Sequence, residues 1–305
     1  MKKLILMVVA AVSLSGVAAP VSAELKTPAA YVALGDSLAA GQTPDNAIDT
    51  GYSDLIAQEL VRHQRVVFYT KDLAFPGFTT ADVLERVRSA EAQEVLKQAN
   101  IITISAGAND LLQLVQSNPD QGSLAFDQIQ ADFAMNKARQ NMEKTLAELT
   151  DRAPNADVYV MGYYFAYPHA RDSQKAGVGQ QLDRLNAILK RTAEQADAVF
   201  IPVDAAFGDG ATDKVPNAAD VHPNILGYQA MANAFLASYA PRWKVEQYEL
   251  PKPAPQSFEQ IMAQQEAASA TAPQSTTTDP DASVRKPSED VKMDYLAIKG
   301  PILYI

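Results

Sequence analysis

Between Tyr31 and Ala240 the chain alternates short apolar runs with longer amphipathic stretches, and this alternation restricts the fold more than any other feature. Most of the runs are continuously apolar and rich in β-branched or aromatic residues, which is typical of strands covered on both faces. The predicted strands are Tyr31–Leu34, Val66–Tyr69, Ile101–Ser105, Val158–Gly162 and Val199–Val203. Strands that alternate with helices form a parallel sheet with helices on both faces. The sequence therefore predicts an α/β fold, a three-layer α/β/α sandwich around a parallel five-stranded sheet.

The stretches between and after these runs have helical periodicity. Residues 51–63 and residues 181–196 each place leucine and isoleucine side chains on one helical face. A final helix is predicted over residues 226–240.

The N-terminus is typical of a secretory signal peptide. A basic pair at residues 2–3 precedes an apolar stretch over residues 4–12, and small residues at 21–23 form a cleavage-site pattern. An uncleaved anchor is less favoured, because polar residues and Pro20 interrupt the apolar run before the ~20 residues that a spanning helix needs. We predict a signal peptide over residues 1–23, a secreted or extracellular protein, and no stable membrane insertion after cleavage; association with the cell envelope is left open.

The composition changes after Trp243. Residues 245–290 are rich in Gln, Ala, Pro, Ser and Thr and lack the apolar residues that would offset the entropy of ordering them. The last residues, 293–305, are apolar again and are candidates for a short strand. We predict one folded domain over residues 24–243 and a low-complexity, mostly disordered tail over residues 244–305.

The charge of the chain excludes one class of partner. The formal net charge is −10, and so acidic a surface repels nucleic acid and anionic lipid headgroups. We predict no nucleic-acid partner.

Four loop residues belong to types that take part in nucleophilic catalysis. Ser37 follows the first predicted strand, Gly77 follows the second, Asn109 follows the third, and His222 precedes the final helix. Ligands of parallel α/β sheets bind at the edge where the strands end, so these residues are predicted to lie at one edge.

Each of these residues also has a structural explanation. Ser37 at a strand-to-helix turn is exposed near the positive end of the helix, but serine also caps helices. Gly77 lets the backbone approach a reacting carbonyl, but an ordinary turn before a Thr-capped helix fits equally well. The Asn109 amide suits an oxyanion, although loops use Asn in Asx-turns.

The chain has three histidines, and one of them is the candidate base. His63 ends an amphipathic helix and is predicted at the surface, and no neighbour of His169 suggests a base. His222 has a carboxylate, Asp220, two residues before it and lies in the loop predicted to face Ser37. With no cysteine and scattered histidines the sequence has no zinc-ligand spacing, so we predict no metal and no cofactor.

Together these segments resemble the GDSL or SGNH hydrolase family of secreted lipases and esterases. The string Gly35-Asp36-Ser37-Leu38 carries the first name, and Ser37, Gly77, Asn109 and His222 occur in the order of the second. The resemblance covers about residues 29–240 and implies a flavodoxin-like catalytic domain. It also implies that Ser37 attacks an ester and that the N–H groups of Ser37 and Gly77, with the Asn109 side chain, bind the oxyanion.

The chain departs from the family's pattern at the position of the triad acid. The family places this acid three residues before the histidine, and that position is Ala219 here. Asp220 is the nearest substitute, so a Ser37–His222–Asp220 triad and a Ser37–His222 dyad both stay open. Asp36 and Asp110 are predicted to brace loops or cap helices.

The substrate is predicted to be a small-molecule, lipid or carbohydrate ester. Apolar residues flank the candidate site and favour an acyl chain, so a lipase or esterase for short to medium acyl esters comes first; these residues are Leu38, Phe75, Phe78, Leu111 and Leu112. Tyrosines after the fourth strand, at 163, 164 and 167, suit a sugar ring, so a carbohydrate esterase or deacetylase comes second. A non-catalytic envelope-binding module is the alternative from another class.

Overall fold

The computed structural model describes residues 27–208, 211–257 and 260–261. Five strands form one parallel sheet in the order β2-β1-β3-β6-β7, and β4 pairs with β5 in a separate antiparallel hairpin. In chain order the strands are β1 (Ala29–Gly35), β2 (Val66–Ala74), β3 (Ile101–Ser105), β4 (Gln116–Asn118), β5 (Ser123–Ala125), β6 (Asp157–Met161) and β7 (Val199–Ile201). The predicted parallel five-stranded sheet is confirmed.

Helices cover this sheet in two groups. The helices are α1 (Ser37–Ala40), α2 (Tyr52–His63), α3 (Thr80–Arg88), α4 (Ala90–Gln98), α5 (Ala108–Leu112), α6 (Gln128–Arg152), α7 (Asp172–Gln195), α8 (Asp204–Phe207) and α9 (Ile225–Tyr239). α2 packs on α9, whereas α6 packs on α3, α4 and α7. This arrangement confirms the predicted three-layer α/β/α architecture.

The central strand β1 explains why the sheet is the core of the domain. All its residues are buried, and it pairs with β2 on one side and β3 on the other. Its one large polar group is satisfied, because the Tyr31 hydroxyl lies 2.8 Å from Thr103 Oγ1 on β3. The carboxyl ends of β1 and β3 therefore lie side by side on a rigid base.

The folded unit continues past the boundary that we predict at residue 243, which is therefore too early. Val245 is 1 % exposed, and its backbone N–H and carbonyl are bonded by side chains of α9. Glu249 lies 2.8 Å from Arg62 of α2, and Gln256 pairs with Ile48. The predicted signal peptide and residues 262–305 lie outside the described residues. In the part of the chain that is described, no helix is long and apolar enough to span a membrane.

Candidate active site

Ser37 is held at the turn between β1 and α1. Gly35 ends the strand with φ +132°, and a Cβ there would lie 2.1 Å from the carbonyl oxygen of Ser105, so only glycine fits. Asp36 caps α1 by accepting a hydrogen bond from the Leu38 N–H. Ser37 follows as the first helical residue, and its own N–H has no hydrogen-bond partner among the described residues.

His222 and Asp220 meet Ser37 in a continuous hydrogen-bonded chain. His222 Nε2 lies 2.8 Å from Ser37 Oγ, and His222 Nδ1 lies 2.7 Å from Asp220 Oδ1. The side chains of His222 and Asp220 are mostly buried, at 12 % and 16 % exposed. Donation from Nδ1 to the carboxylate leaves the lone pair of Nε2 facing the serine, which is the tautomer that a general base needs.

The loop that carries His222 is fixed by a residue that sequence analysis did not assign to it. The Tyr164 hydroxyl donates to the carbonyl of Val221 at 2.7 Å, and the Tyr164 ring stacks on Phe207 at 4.0 Å. On the other side of the loop Asn224 caps α9. No sequence signal links Tyr164 to a residue 57 positions away, so only the fold reveals this contact.

Gly77 and Asn109 are joined to each other through the Phe78 backbone. The Asn109 Nδ2 group donates to the carbonyl of Phe78 at 2.9 Å, which leaves its second amide hydrogen for another acceptor. Gly77 has φ +84°, and an added Cβ would meet no atom within 4 Å, so the backbone faces open space there. Within the described chain the Gly77 N–H has no hydrogen-bond partner. Both groups are therefore available as hydrogen-bond donors.

A buried carboxylate, Asp36, directly precedes Ser37 in the chain. Asp36 is 1 % exposed and accepts hydrogen bonds from Tyr163 at 2.6 Å, from Ser105 at 2.9 Å and from the Leu38 N–H. Burial raises the pKa of the Asp36 carboxyl, and the hydrogen bonds partly oppose this change. Asp36 braces the turn, as the sequence predicts.

Asp110 has the other bracing role that the sequence predicts. Its two oxygens accept from the N–H and the hydroxyl of Thr80, at 2.8 and 2.7 Å. These bonds join α5 to the beginning of α3.

The other two histidines lie away from this site. His63 stacks on Trp243 at 4.4 Å between ring centroids, with a side chain that is 41 % exposed. His169 Nε2 lies 2.8 Å from the carbonyl of Val215. Among the described residues no group of three or more His, Asp or Glu side chains is placed to hold a metal ion.

An apolar pocket opens beside Ser37, Asn109 and His222. It contains about 850 Å³ of empty space, part of it open to solvent, and α5, α6, α7 and the loop after β6 contribute its walls. Its lining includes Leu38, Leu111 and Leu112 and the aromatic residues Tyr163, Tyr164, Phe165 and Tyr167, but not Phe75 or Phe78. This pocket adjoins the hydrogen-bonded chain and can hold an apolar group of a bound molecule.

Comparison with known proteins places this geometry in a family. A family model described as GDSL-like Lipase/Acylhydrolase matches residues 33–230. The uncharacterized protein YpmR of Bacillus subtilis (strain 168) is 24% identical over 204 residues, which is 66% of this chain and 77% of that protein.

Solved structures show the same fold. The lipase Lip_vut3 from a goat rumen metagenome has a TM-score of 0.54 and 22% identity, over 68% of this chain and 96% of its own. A catalytic mutant of Axe2, an acetylxylan esterase from Geobacillus stearothermophilus, has a TM-score of 0.51 and 17% identity, over 71% of this chain and 96% of its own. With the family match over most of the domain, this chain belongs to the GDSL-like lipase/acylhydrolase family.

Proposed function

We propose that this protein is a secreted serine ester hydrolase of the SGNH type that acts on acyl esters through an acyl-enzyme. The single observation that carries the proposal is the chain from Ser37 Oγ to His222 Nε2 at 2.8 Å and from His222 Nδ1 to Asp220 Oδ1 at 2.7 Å. A nucleophile, a base and a group that orients the base, all within hydrogen-bond distance, are the requirements of acyl transfer.

Acylation begins when Ser37 Oγ attacks the carbonyl carbon of the ester. His222 Nε2 takes the serine proton, and the Asp220 carboxylate stabilises the resulting imidazolium through Nδ1. The tetrahedral intermediate collapses as the bond to the alcohol oxygen breaks, and the protonated His222 gives its proton to that oxygen. The alcohol leaves and Ser37 carries the acyl group.

Deacylation repeats these steps with water. His222 takes a proton from a water molecule, whose oxygen attacks the acyl carbon and forms a second tetrahedral intermediate. The bond to Ser37 Oγ then breaks, His222 returns its proton to the serine, and the carboxylic acid is released.

The developing negative charge needs hydrogen-bond donors on the carbonyl oxygen. The backbone N–H groups of Ser37 and Gly77 have no partner among the described residues, and Asn109 retains one amide hydrogen after bonding Phe78. We assign these three donors to the oxyanion hole. Donors that are already oriented need no reorganisation when the charge appears, which is why they lower the barrier.

The lining of the pocket favours an ester with an apolar acyl chain over an acetylated carbohydrate. Its lining is dominated by Leu, Val, Phe and Ala side chains, which suit a hydrocarbon chain. The hydroxyls of Tyr163 and Tyr164, which suited a sugar, are bonded to Asp36 and to the Val221 carbonyl, and both residues are buried. Those two tyrosines are therefore part of the support of the site.

Secretion is proposed from the N-terminal sequence. The basic pair, the apolar stretch and the small residues at 21–23 support cleavage after Ala23. Expression of the full chain in a secreting bacterial host, followed by N-terminal sequencing of the exported protein, tests this. The expected first residue is Glu24, and export of an uncleaved chain would contradict it.

Hydrolysis of p-nitrophenyl acetate and its longer-chain homologues tests the enzyme proposal. The wild type is expected to turn over these esters, and Ser37→Ala is expected to lose activity while keeping its melting temperature. Ser173→Ala, an exposed serine of α7, is the matched control and keeps wild-type rates. A protein that is folded and yet inert toward every ester would instead support a non-catalytic binding module.

A further inference from the structure

The apolar pocket beside Ser37 extends along one face of α7. Leu185, Leu182, Gln181 and Val178 all line it, and their spacing places them on the same side of a helix. The other walls include Ala131 of α6 and Phe126, which precedes α6.

The Leu185 end of this face adjoins the catalytic residues. A Cβ on Gly107, two residues before Asn109, would lie 3.2 Å from Leu185 Cδ1. The next residue of α7, Asn186, bonds the backbone of Tyr163 at 2.9 Å through both its oxygen and its nitrogen. Val178 lies about two turns of α7 away from Leu185, and a Cβ on its neighbour Gly177 would lie 3.9 Å from Phe126.

A polar contact joins α6 and α7 at Gln181, which lines the pocket about one turn of α7 from Val178. Gln181 and Gln128 bond each other through their side-chain amides at 3.3–3.4 Å, and Arg184 donates to Gln181 at 2.9 Å. Asp132 accepts from Gln128 at 2.8 Å and lies 2.7 Å from Arg184. We call these four residues, Gln128, Asp132, Gln181 and Arg184, the α6–α7 clasp.

The clasp bonds both the oxygen and the nitrogen of the Gln181 amide and leaves one amide hydrogen. Gln181 is 7 % exposed and lies in a wall made largely of Leu, Val, Phe and Ala side chains. Since its amide is bonded to Gln128 of α6 and to Arg184 of α7, the Gln181 side chain is held in place in the wall of the apolar channel.

The length of the channel follows from helix geometry. The seven steps from Val178 to Leu185 correspond to about 10 Å along the axis of α7 at 1.5 Å per residue. A hydrocarbon chain with carbon–carbon bonds of about 1.5 Å advances about 1.25 Å per carbon, so about eight carbons span this distance.

We propose that this pocket binds the acyl chain of a medium-chain ester, with an optimum near octanoate, and that Val178 and the α6–α7 clasp set the limit on chain length. This inference rests on the proposed ester hydrolysis and specifies its substrate. The acyl side of the ester is assigned to the pocket because biological esters usually carry their hydrocarbon on the acid and a polar group on the alcohol.

The test is kcat/KM for p-nitrophenyl esters from acetate to hexadecanoate. The wild type is expected to prefer octanoate. Val178→Trp, which fills the channel, is expected to lower the octanoate-to-acetate ratio of kcat/KM by about tenfold or more. Gln181→Ala, which opens the clasp, is expected to move the optimum toward dodecanoate, whereas the exposed neighbour Gln180→Ala keeps the wild-type profile.

Octyl acetate separates the two sides of the ester, because its hydrocarbon is on the alcohol. Val178→Trp is expected to change kcat/KM for octyl acetate no more than it changes kcat/KM for ethyl acetate. A loss with octyl acetate alone would overturn the assignment of the pocket to the acyl side. If the acetate ester is preferred and Val178→Trp leaves the chain-length profile of kcat/KM unchanged, this inference alone is overturned. Absence of hydrolysis from every ester would overturn the proposed function and this inference together. If Gln181→Ala does not fold, Val178→Trp decides.

Discussion

The Asp220 carboxylate contacts His222 twice, although only one residue separates them. Oδ1 of Asp220 accepts the backbone N–H of His222 at 2.7 Å and lies 2.7 Å from His222 Nδ1. The first contact fixes the turn of the loop, and the second fixes the imidazole ring. A spacing of two residues therefore places the carboxylate at the ring nitrogen that faces away from Ser37.

This double contact leads to a prediction for Asp220→Asn. An amide oxygen still accepts the backbone N–H, so the loop is expected to keep its conformation, but the negative charge that stabilises the imidazolium is lost. The expected decrease in kcat is about 10²–10⁴-fold, with a larger loss for Asp220→Ala and full loss for His222→Ala.

Steady-state kinetics of these variants distinguish a triad from a dyad. The control is Asp213→Asn, at an exposed aspartate in the segment that precedes Asp220, and it is expected to keep wild-type rates. Near-normal turnover by Asp220→Asn and Asp220→Ala, with His222→Ala inactive, would show that Ser37 and His222 act as a dyad.

Asn109 is predicted to act on the transition state as well as on the loop. Loss of one oxyanion donor lowers turnover by about 10²–10³-fold, and we expect a decrease of this order in kcat for Asn109→Ala with little change in KM. The exposed Asn155→Ala is the control. A role limited to the bond with Phe78 would instead lower the melting temperature and change kcat by less than about threefold.

Asp36 predicts a pH dependence of stability. Burial raises its pKa in the folded state, so as pH rises past the ordinary carboxyl range the unfolded chain releases this proton before the folded protein does. The folded state then loses stability through this group as pH rises. The difference in melting temperature between Asp36→Asn and wild type is expected to become more positive as pH rises from about 4, the ordinary carboxyl range.

Thermal unfolding across this pH range measures that difference directly. The exposed Asp45→Asn is the control and is expected to show a constant difference. A difference for Asp36→Asn that stays constant, or falls as pH rises, would contradict the assignment of Asp36 as a carboxyl destabilised by burial.

Residues 244–257 are predicted to stabilise the domain. A chain that ends after Trp243 loses the buried Val245 and its bonds to α9, together worth about 3 kcal/mol or more. Its melting temperature is expected to fall by more than about 5 °C, whereas a chain that ends after Ser257 keeps the wild-type value. Equal melting temperatures for the two truncated chains would restore the earlier boundary.

The sequence predicts those parts of the molecule that depend on local pattern. Each of the five strands of the sheet overlaps a predicted apolar run. The run predicted for β2 ends at Tyr69, because the polar residues 70–72 break the pattern in the second half of the strand. In the hairpin, β4 is exposed and β5 is only partly buried, and neither strand has an apolar alternation from which it could be predicted.

The residues of the candidate site follow the same rule. Ser37 and His222 lie in recognisable segments, whereas the contacts of Tyr164 with the His222 loop and of Gln181 with Gln128 join distant parts of the chain. Such contacts depend on how helices and loops pack, which one sequence does not specify. The position of the Asp220 carboxylate depends on the conformation of its loop, so the sequence alone is compatible with both a triad and a dyad.

Covalent labelling by a fluorophosphonate, with the labelled residue located by peptide mass spectrometry, tests whether Ser37 is the nucleophile. An activated serine attacks this reagent and retains the adduct, whereas an ordinary serine does not react. We expect a single adduct on Ser37, abolished in His222→Ala and absent from Ser37→Ala. An adduct on a different serine, with ester hydrolysis retained by Ser37→Ala, would contradict it.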